Sequence, residues 1–167
     1  MPHSSLGTRR AARTAAIALA LAAVGATQSG TASAASWTTR LSPQCRRYVP
    51  QFNAAASAYG VPAPLLAVLA KKESGCDPSA VSRAGARGLF QMLPASGADL
   101  RTPATQTTSA AKSLASIKRQ VGSRLDHQLA AWNAGVGAVK RYHGVPPFRE
   151  TRDFVASATA DYRRLVG

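Results

Sequence analysis

Apolar residues recur at helical spacing along most of this chain, and no segment alternates convincingly in the manner of a half-buried strand. Residues 43–59 place Val49, Phe52, Ala55 and Ala56 on one helical face, after which Gly60, Val61 and Pro62 supply a turn. Residues 63–73 run back with Leu65, Leu66, Val68 and Leu69 as an apolar stripe flanked by Ala63, Ala67 and Ala70, and Gly75 offers a left-handed stop. The polar, threonine-rich stretch 97–108 reads as a loop or lid. Leu114, Ile117 and Val121 predict a helix over 109–121. Asp126 is expected to cap the next helix, which carries Leu129, Ala130 and Trp132 as far as Asn133 and Gly135. A short helix over 136–142 precedes Gly144, Val145, Pro146 and Pro147. Residues 150–165 close the chain with Phe154, Val155, Ala158, Tyr162 and Leu165 on one face. The pattern predicts an all-α domain without a long internal repeat, its core modest for about 130 residues.

The length of 167 residues predicts one folded domain, and the first 34 residues are not part of it. Arg9, Arg10 and Arg13 precede an apolar run over 15–26, and Ala32, Ser33 and Ala34 offer small side chains to a signal peptidase. That is a cleavable secretory signal over 1–34; its apolar run is shorter than the ~20 residues a membrane span needs. Thr8, Arg9 and Arg10 hint at the twin-arginine route, but Ala11 and Ala12 replace the apolar pair usual after it, which favours general secretion. Cys45 follows no lipoprotein-like box, so a soluble exported protein without a membrane anchor is expected, periplasmic or secreted. Residues 35–42 read as a short linker and 43–167 as the domain.

The signal carries three of the 21 basic residues and none of the seven acids, so the formal charge of +14 falls to +11 after its removal. Such a charge favours polyanions, and for an exported chain acidic cell-wall polymers are more accessible partners than nucleic acid. Cys45 and Cys76 stand nearly equidistant from the turn at residues 60–62, so an antiparallel helix pair would bring them together. Export points to a Cys45–Cys76 disulfide, with two unpaired thiols as the alternative. Two cysteines without further ligands make no metal site, and neither metal nor cofactor is expected.

Glu73 is the candidate for chemistry. It lies four residues after Leu69 and seven after Leu66, which turns its carboxylate to the buried side while Lys71 and Lys72 swing outward. Apolar neighbours and the negative end of the helix dipole both push its pKa upward, as a general acid at neutral pH requires. The alternative is a solvated glutamate at a fraying helix end. None of Asp77, Asp99, Asp126, Asp153 and Asp161 sits in a context that suggests a nucleophile; the first three read as turn, loop or cap residues, the last two as part of a surface-like helix. Glu150 is either a cleft residue or an acid favouring a helix N-terminus. Gly85 and Gly88 allow close backbone approach beside Leu89 and Phe90, and Gln91 can offer a ligand both a donor and an acceptor.

The run E-S-G-C-D-P-S-A-V-S-R-A-G-A-R-G-L-F-Q-M-L-P resembles the signature of the soluble lytic transglycosylases, whose SLT-type domain is lysozyme-like. The later runs A-A-W-N-A-G-V-G-A-V-K-R-Y and V-P-P-F-R-E-T-R-D-F-V resemble that family's second and third motifs, in the same order, and the three span 65–155. The resemblance implies a helical domain with a cleft that binds peptidoglycan glycan strands. Such enzymes cut the bond between N-acetylmuramic acid and N-acetylglucosamine without water, one glutamate serving as acid and then as base to form a 1,6-anhydro ring. By motif position Glu73 is that glutamate. Ser74 and Ser82 would contact substrate or hold the loop, Gln91 would bind saccharide, and Trp132 and Asn133 would line the other wall.

The match has departures. Gln106, Ala110 and Ser113 stand where Asn, Gly and Tyr are usual, Trp132 replaces a common tyrosine, and Phe148 and Phe154 replace tyrosines of the third motif. The missing hydroxyl at Phe154 matters most, because it is often expected to bond near the catalytic glutamate. The resemblance suits a monomeric enzyme that opens the wall locally for an envelope-spanning secretion or conjugation assembly. A hydrolase of the same bond, using water, and a non-catalytic wall-binding protein are the alternatives.

Overall fold

The computed structural model describes residues 37–167; the expected export signal lies outside the described residues. Its helices are α1 (Pro43–Arg46), α2 (Val49–Tyr59), α3 (Ala63–Ser74), a 3₁₀ turn (Pro94–Ser96), α4 (Pro103–Val121), α5 (Leu125–Ala134), α6 (Val136–Arg141) and α7 (Arg149–Val166). The described residues contain no strand, only two isolated bridges, Val81 with Arg87 and Arg87 with Met92. None of the described helices is long and apolar enough to cross a membrane.

The fold is built around α3. Leu65, Leu66, Ala67, Val68, Leu69 and Ala70 are each at most 1% exposed. A helix apolar on every side must be enclosed, and α3 packs against α2 and α7, with α1 and α4 also in contact. The stripe read from the sequence is thus a full girdle over 65–70, and the last turn emerges from it, carrying Lys71, Lys72 and Glu73. Gly75 then adopts φ 64°, and the Gly75 and Cys76 N–H groups donate to the carbonyls of Lys71 and Ala70, closing the helix with a reversed turn.

The continuous helix expected over 43–59 is broken in two. Pro50 has no N–H, and inside a helix its ring would collide with the carbonyl of Arg46. Arg47 and Tyr48 therefore turn between α1 and α2, and Pro50 falls in the first turn of α2, where a missing donor costs nothing. The Cys45–Cys76 bridge forms, with Cα atoms 5.2 Å apart and both residues fully buried. Closing so long a loop contributes roughly 3–4 kcal/mol in the chain-entropy account, and here it fastens the turn after Glu73 to α1.

The expected loop over 97–108 is shorter than its composition suggested, because α4 begins at Pro103. Thr102 and Thr105 form a reciprocal cap: the Thr105 N–H donates to Thr102 Oγ1 at 3.2 Å and the Thr102 N–H to Thr105 Oγ1 at 3.0 Å. Asp126 does not cap α5. Arg124 holds that position, while the Asp126 carboxylate sits in the first turn and accepts from the Arg124 guanidinium at 2.7 Å. Trp37 and Leu41, from the stretch expected to be a linker, are buried in the core, so the packed unit reaches back to Trp37.

Asp161 is not a surface residue of α7. It is 8% exposed and receives Lys71 at 3.2 Å and Lys72 at 3.1 Å, with Arg164 completing the cluster. Burial alone would raise its pKa, but the two lysines outweigh burial and hold it below the ordinary 3.8. This ties α7 to the emergent end of α3. Asp161→Ala is expected to cost about 1–3 kcal/mol in chemical denaturation. With the folded pKa depressed, this stabilisation is present above the ordinary carboxylate range and is lost as pH falls through the folded value. A variant as stable as the parent at neutral pH would refute the coupling.

Candidate active site

The end of α3, the loop over 75–93 and helices α4 and α5 enclose an open cavity of about 440 Å³. Glu73 projects into it from the last turn of α3, because the apolar girdle fixes the helix rotation. Trp132 and Asn133 reach it from the last turn of α5, and Ser113 and Ile117 from α4. Phe90, Gln91, Met92, Leu93 and Ser96 supply the rest of the wall. Glu73 is the one carboxylate among these lining residues. Lys71 and Lys72, its helix neighbours, are engaged by Asp161 on another side of α3 and do not neutralise it.

Glu73 is half-buried, and burial raises its pKa above the ordinary 4.5. Opposing this, the Trp132 indole N–H donates to Glu73 Oε1 at 2.8 Å and lowers the pKa by a smaller amount. The indole can only donate, so Oε1 is an acceptor in both protonation states and an acidic proton sits on Oε2. Trp132 thus supplies the carboxyl with a donor. Phe154 packs against the core. Trp132 also meets Phe90 edge-on, with ring centroids 6.3 Å apart, which fixes the indole plane.

Gln91 and Asn133 face the cavity with opposite polarity. The Gln91 side-chain amide donates to the carbonyls of Ala80 and Gly88, each at 3.1 Å, which consumes both of its hydrogens. Contrary to the two-way reading of the sequence, Gln91 offers a ligand only its carbonyl oxygen. Asn133 is the reverse, because its Oδ1 accepts from Thr151 Oγ1 at 2.7 Å and its amide nitrogen remains to donate. Thr151, buried on α7, went unrecognised in the sequence; its signal was its place in the third motif beside Glu150.

Ser74 and Ser82 serve the loop and do not line the cavity. Ser74 Oγ accepts from the Asp77 N–H at 3.0 Å and donates toward the Leu89 carbonyl at 2.9 Å, while Ser82 Oγ accepts from the Ala86 N–H at 3.1 Å. Glu150 also stands outside the cavity, exposed in the first turn of α7, where a carboxylate complements the helix dipole. Among the described residues, no three His, Cys, Asp or Glu side chains gather in a way that could hold a metal ion.

Gln106, noted in the sequence only as a departure, ties the loop together. Its Oε1 accepts from the Leu89 N–H at 2.9 Å, and its amide donates to the carbonyls of Pro78 and Leu100, each at 3.1 Å. The long amide needs room, which Gly88 provides: a Cβ there would lie 2.4 Å from Gln106 Cδ, at a φ of +74°.

Residues 50–155 match the sequence model of the transglycosylase SLT domain. Among solved structures, the chain is similar to the 70 kDa soluble lytic transglycosylase of Escherichia coli, with TM-score 0.63 and 26% identity over 72% of this chain and 24% of that one. It is also similar in fold to an inactive glutamate-to-glutamine form of the lytic transglycosylase Slt of Pseudomonas aeruginosa, with TM-score 0.62 and 23% identity over 74% of this chain and 24% of that one. The match thus spans about a quarter of the length of either enzyme.

Two substitutions check the site. Gly88→Ala is expected to destabilise by about 1–3 kcal/mol, from overpacking against Gln106 and backbone strain, and a loss in chemical denaturation too small to measure would contradict the close approach. Trp132→Phe removes the donor that lowers the Glu73 pKa while keeping an aromatic ring. Titration of the Glu73 carboxyl by ¹³C NMR should then show a pKa higher than in the parent; an unchanged or lower value rejects the indole contact as an electrostatic control.

Proposed function

Because the chain belongs to the transglycosylase SLT domain family, we propose that it is an exported lytic transglycosylase of peptidoglycan. It cleaves the β-1,4 bond from N-acetylmuramic acid to N-acetylglucosamine and leaves 1,6-anhydro ends. The observation that carries the reading is Glu73: one half-buried carboxyl with a raised pKa, standing alone among the residues that line the cavity. An inverting hydrolase needs a second carboxylate to activate water. An adjoining cavity carries Asp99, gripped by Arg101 Nη2 at 2.7 Å and held well below the ordinary carboxylate range by that contact. Such a group is a poor base.

In this mechanism the glycan lies across the cavity with the glycosidic oxygen at Glu73 Oε2. Glu73 transfers its proton to that oxygen, the C1–O bond breaks, and the N-acetylglucosamine unit departs with a new hydroxyl. The muramyl acetamido oxygen shares the positive charge developing at C1. The Glu73 carboxylate, held at Oε1 by Trp132, next takes the proton of the muramyl 6-hydroxyl. Its oxygen bonds to C1, the anhydro ring closes, and Glu73 ends as it began, with no water consumed. The Gln91 carbonyl accepts from saccharide hydroxyl or amide groups and the Asn133 amide donates to a saccharide oxygen. An enzyme of this kind suits local wall opening for a secretion or conjugation assembly. The glutamate-to-glutamine form of the Pseudomonas aeruginosa relative is described as inactive, which agrees with a single essential glutamate.

Glu73→Gln keeps size and removes the transferable proton. Release of anhydro-muropeptides from purified peptidoglycan, followed by mass spectrometry, should fall by at least about 10²–10⁴-fold. Circular dichroism should show the helical fold retained. Glu150→Gln, outside the cavity, should retain turnover. A folded Glu73→Gln variant with parental turnover would falsify the mechanism, and reducing muramic ends without anhydro species would convert the reading to a hydrolase.

A further inference from the structure

Tyr142 and Phe148 are large aromatic residues left 41% and 44% exposed. They belong to the connection between α6 and α7, and their rings meet at 83° with centroids 5.6 Å apart, forming an apolar corner open to solvent. The connection that carries them is braced. The Gly144 N–H donates to the Val139 carbonyl at 3.0 Å, the Tyr142 N–H to the Ala138 carbonyl at 3.0 Å, and Pro146 is fully buried.

One cation touches the corner, and others stand close to it in sequence. The Arg141 guanidinium carbon lies 5.7 Å from the centroid of the Tyr142 ring. Lys140 and Arg152 are exposed, and neither has a carboxylate within ion-pair distance among the described residues. Arg149 reaches Asp153 only at 3.8 Å, with side chains 96% and 72% exposed, so the pair is screened by water. Phe148 stands three residues before Thr151, about one helical turn away, and Thr151 bonds Asn133 on the cavity wall. The helix that Phe148 precedes is thus bonded to the Asn133 side of the cavity.

We propose that this corner is a second glycan-binding surface, which grips the peptidoglycan strand outside the cavity. The apolar C–H face of a pyranose ring packs into the Tyr142–Phe148 corner, and a carboxylate of the attached stem peptide pairs with Lys140 and Arg141. The combination of ring face and anion selects a carboxylated polysaccharide. A polyol-phosphate chain would satisfy the cations but has no ring face to place in the corner. The proposal rests on the peptidoglycan reading above and adds a hold on substrate that the cavity does not provide.

The test is co-sedimentation of the full exported chain, as Glu73→Gln to prevent turnover, with purified sacculi stripped of phosphate polymers. Adding Tyr142→Ser and Phe148→Ser together should weaken binding by roughly tenfold or more. Adding Lys140→Gln and Arg141→Gln instead should weaken it and flatten its salt dependence. Circular dichroism and melting report the fold; if the aromatic pair proves necessary for folding, the charge variant decides alone. Sedimentation within twofold of the parent for a folded variant overturns the proposal. So does a parent that does not sediment, or one that is competed off better by a phosphate polymer or an oligonucleotide than by soluble glycan fragments. The outcomes separate the two readings. Binding lost with the corner while the unmodified chain releases no anhydro products leaves the surface standing and removes the catalytic reading; active chain with unaffected variants does the reverse.

Discussion

The structure depends on the complete enclosure of one helix. From Leu65 to Ala70, α3 has no solvent face, so its rotation and depth are set by packing on all sides and cannot adjust without opening the core. Glu73 inherits that fixity, being less than one turn beyond the girdle. A carboxyl on such a mount is placed as exactingly as a core leucine, yet it emerges where the helix stops and a ligand can reach it. The reversed turn at Gly75 and the bridge from Cys76 to Cys45 hold the stop in place.

The opposite wall lies largely in a loop, and hydrogen bonds position it around the buried Leu89 and Phe90. Its order flows through Leu89, whose carbonyl receives Ser74 Oγ at the end of α3 and whose N–H donates to Gln106 on α4. One residue thus joins the helix bearing Glu73 to the helix forming the far side. Gly88 is obligatory beside it because the amide of Gln106 occupies the space of a side chain. The same economy recurs at Gln91 and Asn133, where scaffold bonds consume one half of each amide and leave the other half for a ligand. Polarity in the cavity is therefore decided by bonds made behind it.

Helix positions and the Cys45–Cys76 pairing were readable because they follow from periodicity and turn placement, which are local. Pro50 was readable too, but its effect on a helix already begun at Pro43 had been missed in favour of an unbroken apolar pattern. The threonines before residue 109 misled in the other direction. Their loop-like composition hides a cap and a buried Thr107, which is fully enclosed and returns its hydroxyl to the Pro103 carbonyl at 2.7 Å. Asp161, Gln106 and Thr151 were opaque for a different reason: each gains its meaning in part from a distant partner, 90, 28 and 18 positions away respectively. A polar residue on a predicted helix carries no local mark of burial when its partners come from other elements.

Trp132 shows how two environmental effects can serve opposite halves of one reaction. Burial favours the protonated carboxyl and raises the Glu73 pKa above its ordinary value. A carboxyl made too reluctant to ionise would hold that proton when the glycosidic oxygen needs it. The indole N–H at Oε1 stabilises the carboxylate form; in the proposed mechanism it would promote the first proton transfer and moderate the basicity required for the second. A tyrosine at this position could turn its hydroxyl to accept from a protonated carboxyl, which would favour the acid form as readily as the base. An indole has no such freedom. In the proposed mechanism the balance between acid and base would therefore be set by how deeply Glu73 is buried, against a donor contact of fixed sign.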